Sequence, residues 1–135
     1  MSDAVGWYDM RARQAASRYE SISAVETLGW FSDLVPAPPS LVLDVGAGSG
    51  RDAAWLARQG HDVIAAEPAA AMRQEGERRH GETGLRWIHD QLPGLEEVQR
   101  LGLSFDVILL NAVWMHVAPR DRPRAFRKLM SLLKP

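Results

Sequence analysis

The chain has 135 residues, of which 46 % are hydrophobic and 24 % are charged, and these proportions are typical of one globular domain. Its formal net charge of −1 provides no overall attraction to nucleic acid or to an anionic membrane surface. The absence of cysteine excludes disulfides, thiol catalysis and cysteine-ligated metal sites.

The first forty residues are predicted to form helices and a linker. Apolar side chains recur at helical spacing in residues 7–34, which predicts two helices. A proline-rich stretch over residues 36–39 ends the second helix and forms a stiff connector. The spacing is clearest for the second helix, at Val25, Leu28, Phe31 and Leu34.

From residue 41 onward, strand and helix patterns alternate along the chain. Strands are predicted at residues 41–45, 62–66, 85–89 and 105–110. Helices are predicted at residues 50–59, 69–80, 94–101 and 123–133. This alternation implies βαβ units and a parallel sheet, so we expect an α/β fold.

The end of the first strand carries an unusual combination of a carboxylate and glycines. Asp44 interrupts the apolar run, and Gly46, Gly48 and Gly50 follow it at alternate positions before a helix begins. A buried strand that leads into a glycine turn and a helix is typical of a nucleotide-type binding site. The third glycine comes one residue earlier than in the dinucleotide pattern, and a carboxylate there disfavours a pyrophosphate and favours a cation.

This pattern, Asp-x-Gly-x-Gly-x-Gly after a first strand, resembles that of the class I S-adenosylmethionine-dependent methyltransferases. The resemblance covers residues 41–134, and residues 50–63 are similar to the tellurite-resistance type. It implies a Rossmann-like three-layer sandwich with a mainly parallel sheet. This chain would supply the strand order 3-2-1-4 and lack the C-terminal strands of the seven-stranded sheet. We therefore expect a helical lid and linker over residues 1–40 and a cofactor-binding domain over residues 41–135.

The resemblance also implies cofactor contacts where the strands end. Asp44 would lie near the amino-acid part of S-adenosylmethionine, and Glu67 would accept both ribose hydroxyls. Asp90 would accept from the adenine amine beside a backbone amide, although an Asp before a turn is also common for local reasons. Asn111 follows strand four and would meet cofactor or substrate. The predicted cofactor residues are Asp44, Gly46, Ala47, Gly48, Gly50, Glu67, Pro68, Asp90, Gln91, Leu92 and Asn111.

Aromatic and basic residues are candidates for a lid or a substrate wall. In the family an N-terminal segment often covers the cofactor, and an aromatic face there could contact a sulfonium. The alternative is an amphipathic helix that packs its aromatic side onto the sheet. The candidates are Trp7, Tyr8, Arg11 and Tyr19 for the lid, and Trp114 and Met115 for a substrate wall or the core.

The expected function is transfer of a methyl group to a small-molecule acceptor by in-line displacement. His116 is the candidate general base for this transfer, although its ring could instead satisfy a local turn. The sequence contains no stripe of basic residues that would indicate nucleic-acid binding, and the four histidines lack metal-ligand spacing. The alternatives are a non-catalytic cofactor-binding module and an NAD-dependent dehydrogenase. Glu67 would suit the dehydrogenase equally well, but Asp44 and the glycine spacing speak against it.

The two ends of the chain carry further expectations. The N-terminus lacks a basic segment followed by an apolar one, and no apolar run reaches membrane-spanning length, so we expect a cytoplasmic protein. The chain stops where a helix ends, after four strands rather than seven, which suggests an N-terminal portion of a longer protein. Strand four would then be an apolar edge through which copies could self-associate.

Overall fold

The structure is a computed structural model that describes residues 2–23, 34–111 and 113–135. The helices are α1 (Ser2–Met10), α2 (Ala12–Glu20), α3 (Arg51–Arg58), α4 (Ala70–His80), α5 (Glu96–Arg100) and α6 (Arg122–Leu132). The strands are β1 (Leu41–Val45), β2 (Asp62–Ala66), β3 (Arg86–Ile88) and β4 (Val107–Leu109). Short 3-10 turns occupy Gly81–Thr83, Trp114–His116 and Pro119–Asp121.

The four strands form one parallel sheet in the order β3-β2-β1-β4. This order confirms the predicted Rossmann-like α/β fold. In the register of the sheet, Asp44 of β1 lies opposite Ala65 of β2 and Leu109 of β4. The carboxyl ends of these three strands therefore meet at one edge, where ligands of open α/β sheets bind.

Helices cover both faces of the sheet and bury it. One apolar cluster combines alternate residues of β1 and β2 with residues of α5 and α6, among them Leu43, Ile64, Val98 and Leu129. A second cluster combines the other face of the strands with α3, among them Val42, Val63 and Leu56. Because both faces are covered, β1 and β2 are near-continuous apolar runs, as buried parallel strands are.

Several element boundaries differ from the predictions. β3 and β4 are each shorter than predicted, and the helix predicted over residues 94–101 spans only Glu96–Arg100. That helix starts late because Leu95 adopts a left-handed φ of 43°, which a helix interior does not accommodate. Each of these boundaries differs by one or two residues, which is the usual uncertainty at the ends of strands and helices.

The N-terminal helices also differ from the prediction. The first helix begins at Ser2 rather than near residue 7, and it breaks at Arg11, whose φ of −121° and ψ of 25° are not helical. Of the predicted second helix, Val25, Leu28 and Phe31 lie outside the described residues. The division of the chain at residue 40 stays a prediction.

The outer strand β4 pairs with β1 on one side. Among the described residues no strand pairs with the other side of Val107–Leu109, although Phe105 forms a bridge with Leu133. Self-association through this edge stays a prediction. No helix in the described part of the chain is long and apolar enough to cross a membrane.

Candidate functional site

A cavity of about 140 Å³ lies at the carboxyl edge of the sheet. Its walls come from the glycine turn, the loops after β2 and β4, the start of α4, and both N-terminal helices. The lining residues are Ala4, Tyr8, Tyr19, Gly46, Gly48, Glu67, Pro68, Met72, Asn111, Val113 and His116. The structure thus brings predicted residues from the ends of three strands around one space.

The three glycines of the turn all have positive φ, but they serve different purposes. A Cβ at Gly46 would lie 2.6 Å from Val113, and one at Gly50 would lie 2.7 Å from Trp87, so both positions are required by packing. Among the described residues, a Cβ at Gly48 would meet Met72 at 3.6 Å and Tyr19 at 3.8 Å, which are ordinary van der Waals contacts. Gly48 is therefore the position where backbone can approach a ligand in the cavity.

Asp44 is the most unusual group near this turn. Its side chain is buried, with 2 % of the residue exposed, and its Oδ2 has no hydrogen-bond partner among the described residues. Burial raises the pKa of this carboxyl well above its usual value, and the charges of Asp52 and Glu67 raise it further, while Arg51 lowers it. Because an unpartnered buried carboxylate is costly, a cationic group on a ligand fits this position.

Glu67 closes β2 and ties the cavity walls together. Its Oε1 accepts from the Gly48 N–H at 2.8 Å, and its Oε2 accepts from the Ala69 N–H at 2.8 Å. Burial raises the pKa of Glu67, while these two N–H groups and the charge of Arg73 lower it. Each carboxylate oxygen keeps a second acceptor position, so the pair can accept two neighbouring hydroxyls.

Asp52 is a buried carboxylate that the sequence analysis missed. It is 0 % exposed, and its Oδ1 accepts from Arg51 Nε at 2.8 Å. Its Oδ2 accepts from the Tyr19 hydroxyl at 3.1 Å and from Asn111 Nδ2 at 2.8 Å. The one signal in the sequence is an acidic residue in the first turn of the helix after the glycine turn, where it also favours the helix N-terminus.

The same cluster holds α2 against the glycine turn. The Arg51 guanidinium lies 4.1 Å from the ring centroid of Tyr19, and its Nη1 donates to the carbonyls of Tyr19 and Ile22 at 3.1 Å each. The neighbouring Glu20 accepts from the Ser49 hydroxyl at 2.8 Å. α2 is therefore attached at its C-terminal end by charged and polar contacts.

A histidine extends this attachment to α4. Glu20 Oε1 lies 2.7 Å from Nε2 of His80, which is buried. Arg58 Nη2 lies 3.3 Å from Nδ1 of the same ring. Since a guanidinium only donates, Nδ1 accepts and Nε2 carries the proton that it donates to Glu20.

The predicted lid residues are divided between cavity and surface. Tyr8 and Tyr19 line the cavity. Trp7 is 44 % exposed and contacts Tyr8 edge to face, with ring centroids 5.0 Å apart. Arg11 lies 5.4 Å over the Trp7 ring, and neither of these two residues lines the cavity.

The predicted adenine contacts lie apart from this cavity. Both oxygens of Asp90 accept from backbone, Oδ1 from Gln91 N–H at 2.9 Å and Oδ2 from Val98 N–H at 2.8 Å. Asp90, Gln91 and Leu92 line a separate, wider hollow of about 600 Å³, which Arg124 also borders. The role of Asp90 in adenine binding stays a prediction. In the structure its side chain caps the start of α5.

The residues after β4 also separate. His116 is half-buried and lines the cavity. Trp114 packs against the apolar cluster between the sheet and α6, and Met115 is 66 % exposed. Of the three, the structure brings only His116 to the cavity, and its part as a general base stays a prediction.

Comparison with known protein families identifies the family to which the chain belongs. The family described as methyltransferase domain matches residues 42–135, which is more than half of the chain. The chain belongs to this methyltransferase domain family. The glycine turn, Glu67 and Asn111 all lie within the matched residues.

Curated relatives of this methyltransferase domain are longer proteins. An uncharacterised methyltransferase of Mycobacterium tuberculosis is 32 % identical over 102 residues, which cover 76 % of this chain and 49 % of the relative. The ubiquinone biosynthesis O-methyltransferase of Azorhizobium caulinodans is 30 % identical over 130 residues, covering 86 % and 50 %. The chain thus spans about half the length of the curated relatives it matches.

Solved structures share the fold at lower identity. A TehB-like SAM-dependent methyltransferase from Corynebacterium glutamicum has a TM-score of 0.65 at 23 % identity, over 98 % of this chain and 68 % of that one. The magnesium protoporphyrin IX methyltransferase of Synechocystis, solved with bound SAM, has a TM-score of 0.67 at 20 % identity, over 82 % and 53 %. These likenesses show the Rossmann-like methyltransferase fold.

Proposed function

We propose that this methyltransferase domain binds S-adenosylmethionine at the glycine turn and serves methyl transfer to a small-molecule acceptor. The observation that carries the proposal is the unpartnered, buried Oδ2 of Asp44 beside that turn. A positively charged group on a ligand, such as an ammonium, would pair with this oxygen, whereas a pyrophosphate would be repelled by Asp44, Asp52 and Glu67.

The residues present fit this cofactor in three places. Asp44 would hold the ammonium of the amino-acid part. Gly48 would let that part lie against the backbone, since it has no side chain between its α-carbon and the cavity that it lines with Met72 and Tyr19. Glu67 would accept the two ribose hydroxyls with the acceptor positions that Gly48 and Ala69 leave unused.

When bound, S-adenosylmethionine supplies an electrophilic methyl group, which a nucleophile attacks in line with the sulfonium sulfur that leaves. The chain's own residues then need only orient the two reactants and exclude water. A carboxylate that touched the sulfonium would stabilise the reactant more than the transition state, because the positive charge is lost in the reaction. Asp44 therefore belongs to binding. His116, at the cavity, would accept the proton of a hydroxyl or amine acceptor.

The proposed class of methyl acceptor is inferred from similarity to relatives with named substrates. One named relative is a ubiquinone biosynthesis O-methyltransferase, which is consistent with a small-molecule acceptor. The competing function is a module that binds the cofactor without turnover, since this chain spans half of its relatives. Methyl transfer from labelled S-adenosylmethionine to hydroxylated and amine small molecules distinguishes the two.

Calorimetric titration tests the binding proposal. The protein should bind S-adenosylmethionine and S-adenosylhomocysteine in the micromolar range, about −8 kcal/mol, and should not bind NAD. Asp44→Ala and Glu67→Ala should each abolish this binding. Glu82→Ala is the control, because Glu82 pairs with Arg58 on the surface away from the cavity. NAD binding, or a folded protein that binds neither sulfur ligand, would overturn the proposal.

A further inference from the structure

Asp52 joins three segments around the cavity without lining it. It lies in α3, and it accepts from Tyr19 of α2 and from Asn111 after β4. Both of these donors line the cavity, and Asp52 itself is fully buried behind them. Among the described residues, Asp52 therefore reaches a ligand in the cavity by hydrogen bonding through these two side chains, and its charge also raises the pKa of Asp44.

The Asn111 amide has only one orientation next to this carboxylate. An ionised carboxylate accepts and does not donate, so the amide group that faces Asp52 at 2.8 Å is the NH₂. The carbonyl oxygen of Asn111 is consequently turned away from Asp52. The Tyr19 hydroxyl is fixed in the same sense, since it donates its proton to Asp52 and keeps its lone pairs.

Hydrogen-bond acceptors thus lie on two neighbouring strands beside the cavity, at the end of β1 and after β4. Asp44 Oδ2 is unpartnered, and β1 and β4 lie side by side, with Asp44 opposite Leu109, two residues before Asn111. An ammonium group carries three N–H donors and no acceptor, so it complements such a set, whereas a ligand carboxylate does not.

We propose that Asp52 is a positioning residue that orients the Asn111 carbonyl oxygen toward the cofactor's ammonium group, alongside Asp44. This rests on the proposed function, because it assumes that S-adenosylmethionine occupies the cavity. Asp52 touches neither the cofactor nor the reacting atoms, and it sets the affinity for the amino-acid end of the ligand rather than for the nucleoside.

Two ligands that differ only at that end test the proposal. S-adenosylhomocysteine carries the amino-acid group, and 5′-methylthioadenosine has the same nucleoside and thioether without it. In Asp52→Asn, residue 52 can donate as well as accept, so Asn111 is no longer held in one orientation. We expect the Kd for S-adenosylhomocysteine to rise roughly tenfold and the Kd for 5′-methylthioadenosine to change less than about twofold.

Two further variants make the result decisive. Asn111→Ala should reproduce the loss of selectivity between the two ligands, and the double variant should lose no more than either single one, since both act through one group. Asn111→Ala also keeps the test open if Asp52→Asn fails to fold. Asp62→Asn is the matched control, because Asp62 pairs with Arg86 on the surface at the other end of β2.

Specific outcomes would overturn the proposal. Equal weakening of both ligands in Asp52→Asn and Asn111→Ala would show a merely structural role, and unchanged binding of both would show none. If the wild-type protein binds 5′-methylthioadenosine as tightly as S-adenosylhomocysteine, no group of the protein binds the ligand's ammonium. A folded wild-type protein that does not bind S-adenosylhomocysteine would instead contradict the proposed function.

Discussion

The helices α1 and α2 are neighbours of equal length, but the structure holds them in different ways. Each has nine residues, which is too short for a stable isolated helix, so contacts with the rest of the domain decide its order. α2 is attached through Tyr19 and Glu20 to α3, the glycine turn and α4. α1 exposes Trp7, and its Asp9 accepts from the Ala71 N–H at 3.0 Å.

This contrast separates two parts of the predicted lid. α2 is a wall of the site, because the side chain that anchors it, Tyr19, also lines the cavity. α1 touches the cavity through Ala4 and Tyr8 and is separated from α2 by the break at Arg11. α1 is therefore a separate part of the cavity wall, attached to α4 by the Asp9 hydrogen bond and by packing of Val5 against Ala69 and Met72.

Replacing the α2 anchor should give the largest effect on stability. Tyr19→Ala removes the ring under the Arg51 guanidinium and one donor to the buried Asp52. We expect the free energy of unfolding to fall by about 2–4 kcal/mol, measured by urea denaturation. Tyr8→Ala on α1 is the matched control and should cost less than half as much. Equal losses would break the distinction between the two helices.

Asp44→Asn tests the buried carboxyl group in β1, beside the glycine turn to which α2 is attached. Because the pKa of Asp44 is raised in the folded protein, the carboxyl retains a proton that the unfolded chain loses. The free energy of unfolding therefore falls as the pH rises from the pKa of the unfolded chain through the pKa of the folded protein. The variant removes this dependence and should be more stable than wild type at neutral to alkaline pH, by about 1–3 kcal/mol. Thermal unfolding across pH measures it. A wild-type protein that gains stability from pH 5 to 8 relative to the variant contradicts the assignment.

Gly48→Ala examines the space between the glycine turn and α2. The new Cβ would lie 3.8 Å from Tyr19, and the φ of 61° at this position disfavours alanine by about 1 kcal/mol. A similar loss of stability should accompany weaker binding of S-adenosylhomocysteine. Unchanged affinity in this variant would place the ligand elsewhere.

Trp7→Ala should have the smallest effect. The Trp7 ring contacts Tyr8 and Arg11 on the exposed side of α1. Surface substitutions of this kind usually change stability by less than about 0.5 kcal/mol. A change above 1 kcal/mol in the same denaturation assay would show that α1 is held as firmly as α2.

The sequence was sufficient for the framework of the site. The bounds of β1 and β2 match the prediction, because apolar runs that end at Gly46 and at Glu67-Pro68 define both. Parallel pairing then places the residues that follow these strands at one edge. The positive φ at Gly46, Gly48 and Gly50 agrees with a turn that needs glycine.

The buried polar network could not be predicted in the same way. An Arg-Asp pair in the first turn of an amphipathic helix resembles a solvated pair, but Asp52 is buried and contacts Tyr19 of α2 and Asn111 after β4. Likewise, Asp90 accepts from the backbone N–H of Val98, eight residues later, and this contact depends on where α5 packs. Both contacts depend on tertiary packing, which local patterns do not encode.

A crystal structure of the protein with S-adenosylhomocysteine would show whether the amino-acid end of the ligand lies at Asp44. We expect the ligand's ammonium within about 3.2 Å of Asp44 Oδ2 and its ribose hydroxyls on the Glu67 carboxylate. A ligand whose amino-acid end lies away from the glycine turn, with Asp44 Oδ2 still unpartnered, would contradict it.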